Sequence, residues 1–190
     1  MYFEEFKSMN NFFDQLLDSS LKNSEKYIRV IFLDIDGVLN DFDDRSENRV
    51  IIDENMVSRL KKIADTSSAK IILTSSWRIY YHNWRKTSDS VNSHFQKLLD
   101  AFEKYDLTIS GATEEIGFDK KSRPLEIRYW LLDKPDVEHF VILDDMDWHW
   151  GWLGDHVVHT RRKDPSAISG WSSGLNSDNV SEALKILNVI

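Results

Sequence analysis

Residues 31–41 read IFLDIDGVLND, and this stretch decides the fold. An apolar run stops abruptly at Asp34 and Asp36, and Gly37 follows them. A short, fully apolar run is typical of a strand that is buried on both faces of a parallel sheet. The carboxyl ends of parallel strands share one edge, where α/β proteins bind their ligands. Gly37 permits a sharp turn there and a close backbone approach.

Two more apolar runs end in polar side chains in the same way. They are residues 70–76, KIILTSS, and residues 139–145, HFVILDD. The polar residues at these two strand ends are Thr74, Ser75, Ser76, Asp144 and Asp145. The sequence therefore predicts that at least four carboxylates and several hydroxyls gather at one sheet edge.

Carboxylates that crowd together repel one another, and burying their charges separately is costly. A hard divalent cation relieves this repulsion, and an oxygen-only ligand set favours Mg²⁺. Magnesium in turn favours phosphate-bearing substrates. One aspartate can then attack phosphorus, a second can protonate the leaving group, and Thr74 or Ser75 can bind phosphate oxygens. The pattern indicates metal-assisted phosphoryl transfer.

Strands and helices alternate along the chain, which predicts an α/β sandwich around a mostly parallel, five-stranded sheet. The predicted strands are 27–33, 70–76, 107–110, 139–145 and 156–160. The predicted helices are 3–21, 53–65, 93–105, 123–136 and 177–187. Residues 77–89 read as a loop or an irregular helix. We expect residues 1–26 to be an amphipathic N-terminal extension and residues 27–190 to be the catalytic domain.

The net charge, the lack of cysteine and the character of the N-terminal stretch argue against several classes of function. The chain has 190 residues, a net charge of −8 and no cysteine. This charge argues against a broad electrostatic grip on nucleic-acid backbone, and disulfide or thiolate chemistry has no residue to use. The N-terminal stretch resembles neither a signal peptide nor a membrane span. We expect a cytoplasmic protein with no membrane partner.

The segments FLDIDGVLN, IILTSSWR and VILDD, with a basic residue before a helix, resemble the four motifs of the haloacid dehalogenase (HAD) superfamily of phosphohydrolases. A narrower resemblance is to the small HAD domains grouped with RNA-repair proteins. It rests on Ser75-Ser76-Trp77-Arg78, on Arg123 with Glu126-Ile127 and Trp130-Leu131, and on Gly174-Leu175. The resemblance implies a three-layer Rossmannoid (HAD-like) sandwich, and the short spacing between the motifs leaves room for little or no cap domain.

The resemblance also implies roles for single residues. Asp34 would be the nucleophile and Asp36 the general acid and base. Thr74 would be the phosphate-binding hydroxyl, with Ser75 as the alternative. The basic residue of the third motif, normally a lysine, would be Arg123, with Lys120 and Lys121 as rivals.

The metal implied by the resemblance is Mg²⁺. Its ligands would be the Asp34 carboxylate, the main-chain carbonyl of Asp36, and Asp145, with Asp144 helping directly or through water.

These residues predict a Mg²⁺-dependent phosphatase that hydrolyses a phosphomonoester through an aspartyl-phosphate intermediate. A nucleotide or a nucleic-acid end is the leading substrate. The alternatives are a small-metabolite phosphatase and a non-catalytic binding module with the same fold. The tryptophan-rich segment 148–152 either stacks on a substrate ring or closes a small core.

Overall fold

A computed structural model of the chain describes residues 28–40, 52–87, 91–117, 122–163 and 171–190. Several sequence predictions lie outside these ranges. They are the N-terminal helix, the domain boundary at residue 27, and the rival basic residues Lys120 and Lys121.

Five strands form one parallel sheet. They are β1 (Ile28–Leu33), β2 (Lys70–Leu73), β3 (Ile109–Ala112), β4 (Val137–Asp144) and β5 (Val157–His159). Their order in the sheet is β3-β2-β1-β4-β5, and each neighbouring pair is parallel. The predicted α/β sandwich with a five-stranded sheet is therefore confirmed.

In the described part of the chain, five α-helices connect the strands or follow them. They are α1 (Glu54–Ser67), α2 (Arg78–Thr87), α3 (Ser93–Lys104), α4 (Ser122–Leu132) and α5 (Ser177–Ile186). A 3₁₀ helix (Gly151–His156) precedes β5, and the short strands β6 (Arg162–Lys163) and β7 (Trp171–Ser172) pair antiparallel. Within the described ranges, no helix has the length and apolar character needed to cross a bilayer.

Alternate side chains of β1 enter two separate cores. Ile31 and Leu33 pack on one face of the sheet, with the apolar sides of α1, α3 and α5. Val30 and Phe32 pack on the other face, with α4 and the 3₁₀ helix. Because successive residues of a strand point to opposite faces, a strand buried between two layers must be apolar throughout. The unbroken apolar run of residues 30–33 in β1 therefore produces the three-layer arrangement.

Helix α1 begins where the sequence predicts it. The carboxylate of Asp53 accepts hydrogen bonds from the backbone N–H groups of Asn55, at 2.7 Å, and Met56, at 3.0 Å. These are donors that the first turn of a helix otherwise leaves unpaired. Asp53 is thus the N-cap of α1.

The prediction for residues 77–89 needs correction, because most of this segment is the regular helix α2. Trp77, Tyr80, Tyr81 and Trp84 are spaced three and four residues apart, and all four pack against the first core. Ring burial on one face stabilises a helix whose polar residues suggest a loop. Two helices, rather than one, therefore separate β2 from β3.

The register of the sheet brings the predicted motifs together. Strand β1 lies in the centre, and Leu33 is level with Leu73 of β2 and Leu143 of β4. The N–H of Asp34 donates to the carbonyl of Leu143 at 3.0 Å, and the N–H of Thr74 donates to the carbonyl of Leu33 at 2.9 Å. The residues that follow the three strands are therefore immediate neighbours.

Candidate active site

Three carboxylates meet at the carboxyl edge of the sheet. Asp34, Asp144 and Asp145 each offer an oxygen, and these oxygens all lie within 4.8 Å of one another. Asp144 is completely buried, Asp34 is 6% exposed and Asp145 is half-buried. Strands β1 and β4 position them, since Asp34 directly follows β1 and Asp144 ends β4. This set of oxygens can hold a hard divalent cation.

Arg123 lies against two of these carboxylates. Its Nη1 atom is 2.7 Å from Oδ2 of Asp144 and 3.3 Å from Oδ1 of Asp34. The guanidinium carbon also lies 5.0 Å from the ring centroid of Trp148, which is a cation–π contact. The first turn of α4 therefore brings a permanent positive charge into the predicted site.

Burial has a strong effect on the acidity of the cluster. It raises the pKa of Asp144 to about 8, the charge of Asp34 adds to this, and Arg123 opposes both. Burial likewise raises the pKa of Asp145 to about 6, with a further contribution from Asp34. The pKa of Asp34 is also raised by burial, while Arg123 and a hydrogen bond from Ser75 act the other way. Burial therefore disfavours the charged form of each carboxylate, most of all for the completely buried Asp144, and added positive charge would favour ionisation.

Asp36 is not one of the three clustered carboxylates, although its charge raises the pKa of Asp34 and of Asp145. Its Oδ1 accepts a hydrogen bond from Nδ2 of Asn40 and its Oδ2 accepts one from Nε1 of Trp77, both at 3.0 Å. Asn40 in turn accepts a hydrogen bond from the N–H of Gly37 at 2.8 Å. The side chain that is predicted to transfer a proton is thus fixed by two neighbours. Metal ligation by its main-chain carbonyl stays a prediction.

The two hydroxyls that follow β2 have different surroundings. Ser75 hydrogen-bonds to Asp34, and its oxygen accepts a hydrogen bond from the N–H of Trp77 at 3.3 Å. The hydroxyl of Thr74 is fully buried and has no hydrogen-bond partner within the described part of the chain. A buried hydroxyl without a partner costs free energy, so a ligand oxygen beside it would be favourable. Of the two hydroxyls, only that of Thr74 is left, among the described residues, to pair with a ligand, and phosphate binding by it stays a prediction.

Gly37 is required by both its backbone conformation and its surroundings. Its φ angle is +76°, and a Cβ atom at this position would overlap the side chain of Asp145. Its carbonyl accepts hydrogen bonds from Oγ1 of Thr160, at 2.6 Å, and from the N–H of Gly174, at 2.8 Å. The loop after β1 is therefore tied to the C-terminal part of the chain and approaches the carboxylate cluster closely.

A cleft of about 460 Å³ opens beside the cluster and is lined by Asp145, Asp147, His159 and Arg161. The charge of Arg161 acts on Asp145, where it opposes the rise in pKa that burial causes. The cleft provides room for a substrate group next to the carboxylates.

Three residues lie in this site whose contacts with the aspartates were not predicted from the sequence. Asn40 and Trp77 bind Asp36, and Nε1 of Trp148 donates to Oδ1 of Asp144 at 3.0 Å. The core-closing alternative for the tryptophan-rich segment agrees with the packing of Trp148 and Trp150 in the second core, but neither alternative included the hydrogen bond from Trp148 to Asp144. Trp150 is buried and Trp152 is 56% exposed. No sequence signal distinguishes an indole that donates to a carboxylate from one that fills a core.

A family model described as the HAD domain in Swiss Army Knife RNA repair proteins matches residues 30–164, which is more than half of the chain. No curated protein and no solved structure matches the chain. The matched range contains all the sequence-predicted site residues and ends before α5.

Proposed function

Because the chain belongs to the family of HAD domains found in Swiss Army Knife RNA repair proteins, we propose that it is a Mg²⁺-dependent phosphatase. It hydrolyses a phosphomonoester through an aspartyl-phosphate on Asp34. The observation that carries this proposal is the contact of a single Arg123 nitrogen with both Asp34 and Asp144 inside a three-carboxylate cluster. Such a group of charges suits phosphoryl transfer, in which positioning and electrostatic stabilisation supply most of the catalysis.

The residues present fit a magnesium ion. Asp34, Asp144 and Asp145 supply oxygen ligands, and the cluster contains no histidine or thiolate that would favour a softer metal. Two of the three carboxylates are buried beside a single arginine, so a further positive charge is needed for them to ionise together. When bound, Mg²⁺ would polarise the phosphoryl oxygens and balance the negative charge of the site.

Asp34 is the proposed nucleophile. Its carboxylate oxygen attacks phosphorus, the bond from phosphorus to the leaving oxygen breaks, and an acyl phosphate forms on Asp34. Arg123 stabilises the charge on the transferring group and lessens repulsion between that group and the carboxylates. Ser75 orients Asp34 by its hydrogen bond, and the Thr74 hydroxyl donates to a phosphate oxygen.

Asp36 is the proposed proton carrier. In the first step its carboxyl group gives a proton to the leaving oxygen, and the substrate departs as an alcohol. In the second step Asp36 takes a proton from water, which attacks phosphorus and releases inorganic phosphate and free Asp34. Asn40 and Trp77 keep the carboxyl group in one orientation for both steps.

For the substrate we propose a phosphorylated nucleotide or nucleic-acid end. The support is the RNA-repair context of the family, together with a cleft beside Asp145 that is lined by His159 and Arg161. We further propose that residues 1–26 are an extension outside the catalytic domain at 27–190.

Phosphate release from an aryl phosphate, from nucleotides and from oligonucleotides with a 3′- or 5′-phosphate tests the proposal. Turnover should require Mg²⁺ and should be lost in Asp34→Asn, while Asp133→Asn, which changes an exposed carboxylate, should retain wild-type activity. Activity that persists in Asp34→Asn and in the presence of a chelator would rule out the mechanism. If the wild-type protein turns over none of these substrates, the binding-module alternative becomes the better description.

A further inference from the structure

The protein has a buried ion pair in addition to the contacts of Arg123 with Asp34 and Asp144. Nη2 of Arg78 is 2.9 Å from Oε1 of Glu126, and the two side chains are 6% and 1% exposed. Burying two charges costs several kcal/mol per ion before they attract each other, so such a pair is a weak source of stability. A role other than stability therefore has to be considered for Arg78 and Glu126.

Arg78 holds the loop that carries the predicted phosphate-binding hydroxyl. Its Nη1 donates to the carbonyl of Thr74 at 2.7 Å and to the carbonyl of Ser75 at 3.2 Å. These two bonds fix the direction of the backbone after β2. Since the rotamer of a threonine depends on its backbone, they also limit where the Thr74 hydroxyl can point.

Glu126 connects this loop to the helix that carries Arg123. It lies on α4, three residues after Arg123 and therefore on the same side of the helix. Its Oε1 also accepts a hydrogen bond from the N–H of Ile116 at 3.1 Å, which anchors the chain after β3. Burial lowers the pKa of Arg78, Glu126 opposes this, and the charge of Arg123 lowers that pKa further. Glu126 thus supplies counter-charge directly to Arg78, and it also raises the pKa of Arg123, where Asp34 and Asp144 act more strongly.

We propose that Arg78 and Glu126 are positioning residues that hold the Thr74 hydroxyl and the Arg123 guanidinium at a fixed separation, so that both bind one phosphoryl group. This inference rests on the proposed function, because the bound group is the phosphate of the substrate. Arg78 acts through the Thr74 loop, and Glu126 acts through both Arg78 and α4. Neither residue touches the substrate.

The test is a double-mutant cycle on aryl phosphate hydrolysis with Mg²⁺ present. Arg78→Lys keeps the charge but lacks the planar fork that contacts two carbonyls and Glu126 together. Thr74→Val removes only the hydroxyl. Each single variant should lower kcat/KM about tenfold. In the Thr74→Val background, Arg78→Lys should lower kcat/KM by less than about a further threefold. A purely structural role for Arg78 would instead give losses that multiply.

Glu126→Gln supplies a second and independent measurement. It keeps the hydrogen-bond acceptor for Ile116 but removes the counter-charge, and it should lower kcat/KM by about tenfold or more. The matched control is Glu54→Gln, which removes the exposed ion pair of Glu54 with Lys104 at 2.6 Å and should leave kcat/KM unchanged.

The outcomes separate the two proposals. If the wild-type protein hydrolyses the substrate and either Arg78→Lys or Glu126→Gln matches it in kcat/KM, the positioning role is wrong and the phosphatase proposal stands. Losses that multiply in the cycle would likewise show that the positioning role is wrong. If the wild-type protein shows no Mg²⁺-dependent turnover of any phosphomonoester, the phosphatase proposal falls and the positioning role falls with it.

Discussion

Replacing Arg123 by methionine tests the electrostatic design of the site directly. Methionine keeps much of the side-chain volume but removes the charge that lies 2.7 Å from Asp144 and 3.3 Å from Asp34. Both carboxylates are buried, and Arg123 itself is 8% exposed, so water cannot readily replace the lost partner. The substitution should therefore affect both catalysis and stability.

The expected magnitudes follow from this geometry. Removing one partner of a buried ion pair destabilises a protein by about 3–5 kcal/mol, and proton uptake by Asp34 and Asp144 will reduce that cost. Loss of a group that stabilises transition-state charge lowers kcat by about 10²–10³-fold. Arg123→Lys keeps the charge but loses the planar contact with Trp148, so we expect kcat within about tenfold of wild type.

The assay is phosphate release from an aryl phosphate at saturating Mg²⁺, with thermal unfolding followed by circular dichroism on the same samples. Arg128→Met is the matched control, because Arg128 is exposed on the same helix. It should change neither quantity. A kcat for Arg123→Met within about threefold of wild type would refute this role, since no stabilising charge of that size would then have been removed.

Two further predictions concern the cation site and the loop beside it. The folded-state pKa values of Asp144, about 8, and Asp145, about 6, exceed the ordinary value of 3.8, so the folded state binds protons more tightly than the unfolded state. With a chelator present, the free energy of unfolding should therefore fall as the pH rises from about 4 to about 8, and Mg²⁺ should raise Tm more at pH 8 than at pH 5. Chemical denaturation across this pH range measures the free energy of unfolding, and thermal unfolding measures the rise in Tm that Mg²⁺ causes. A free energy of unfolding that increases with pH in the presence of the chelator would contradict the raised pKa values of Asp144 and Asp145. Gly37→Ala should destabilise the protein by at least about 1 kcal/mol and weaken Mg²⁺ binding in calorimetry, because the φ angle of +76° disfavours alanine and its methyl group displaces Asp145. Gly154→Ala is the control, since an added Cβ there meets no atom within 4 Å. Equal effects of the two substitutions on stability and on Mg²⁺ binding would show that position 37 does not require glycine.

Much of the fold follows from local patterns in the sequence. The short apolar runs at 30–33, 71–73 and 140–143 lie in adjacent parallel strands, because the part of a strand that is buried on both faces carries an unbroken apolar signal. Helix α2 did not follow from local patterns. Its polar residues suggest a loop, and only packing of its aromatic rings against the core decides that it is a helix.

Chain order determined which aspartates and hydroxyls gather at the site, since residues placed directly after buried strands meet at one edge of a parallel sheet. Tertiary structure alone decided which side chains support them. Asn40 and Trp77 bind Asp36, Trp148 binds Asp144, and Glu126 pairs with Arg78 across 48 residues of sequence. These contacts join segments that are distant along the chain or depend on a single rotamer, and neither spacing nor composition encodes them. The strand ends could be predicted from the sequence because each shows the same local pattern, an apolar run followed directly by polar residues. The partners of those polar side chains are set only when the layers pack together.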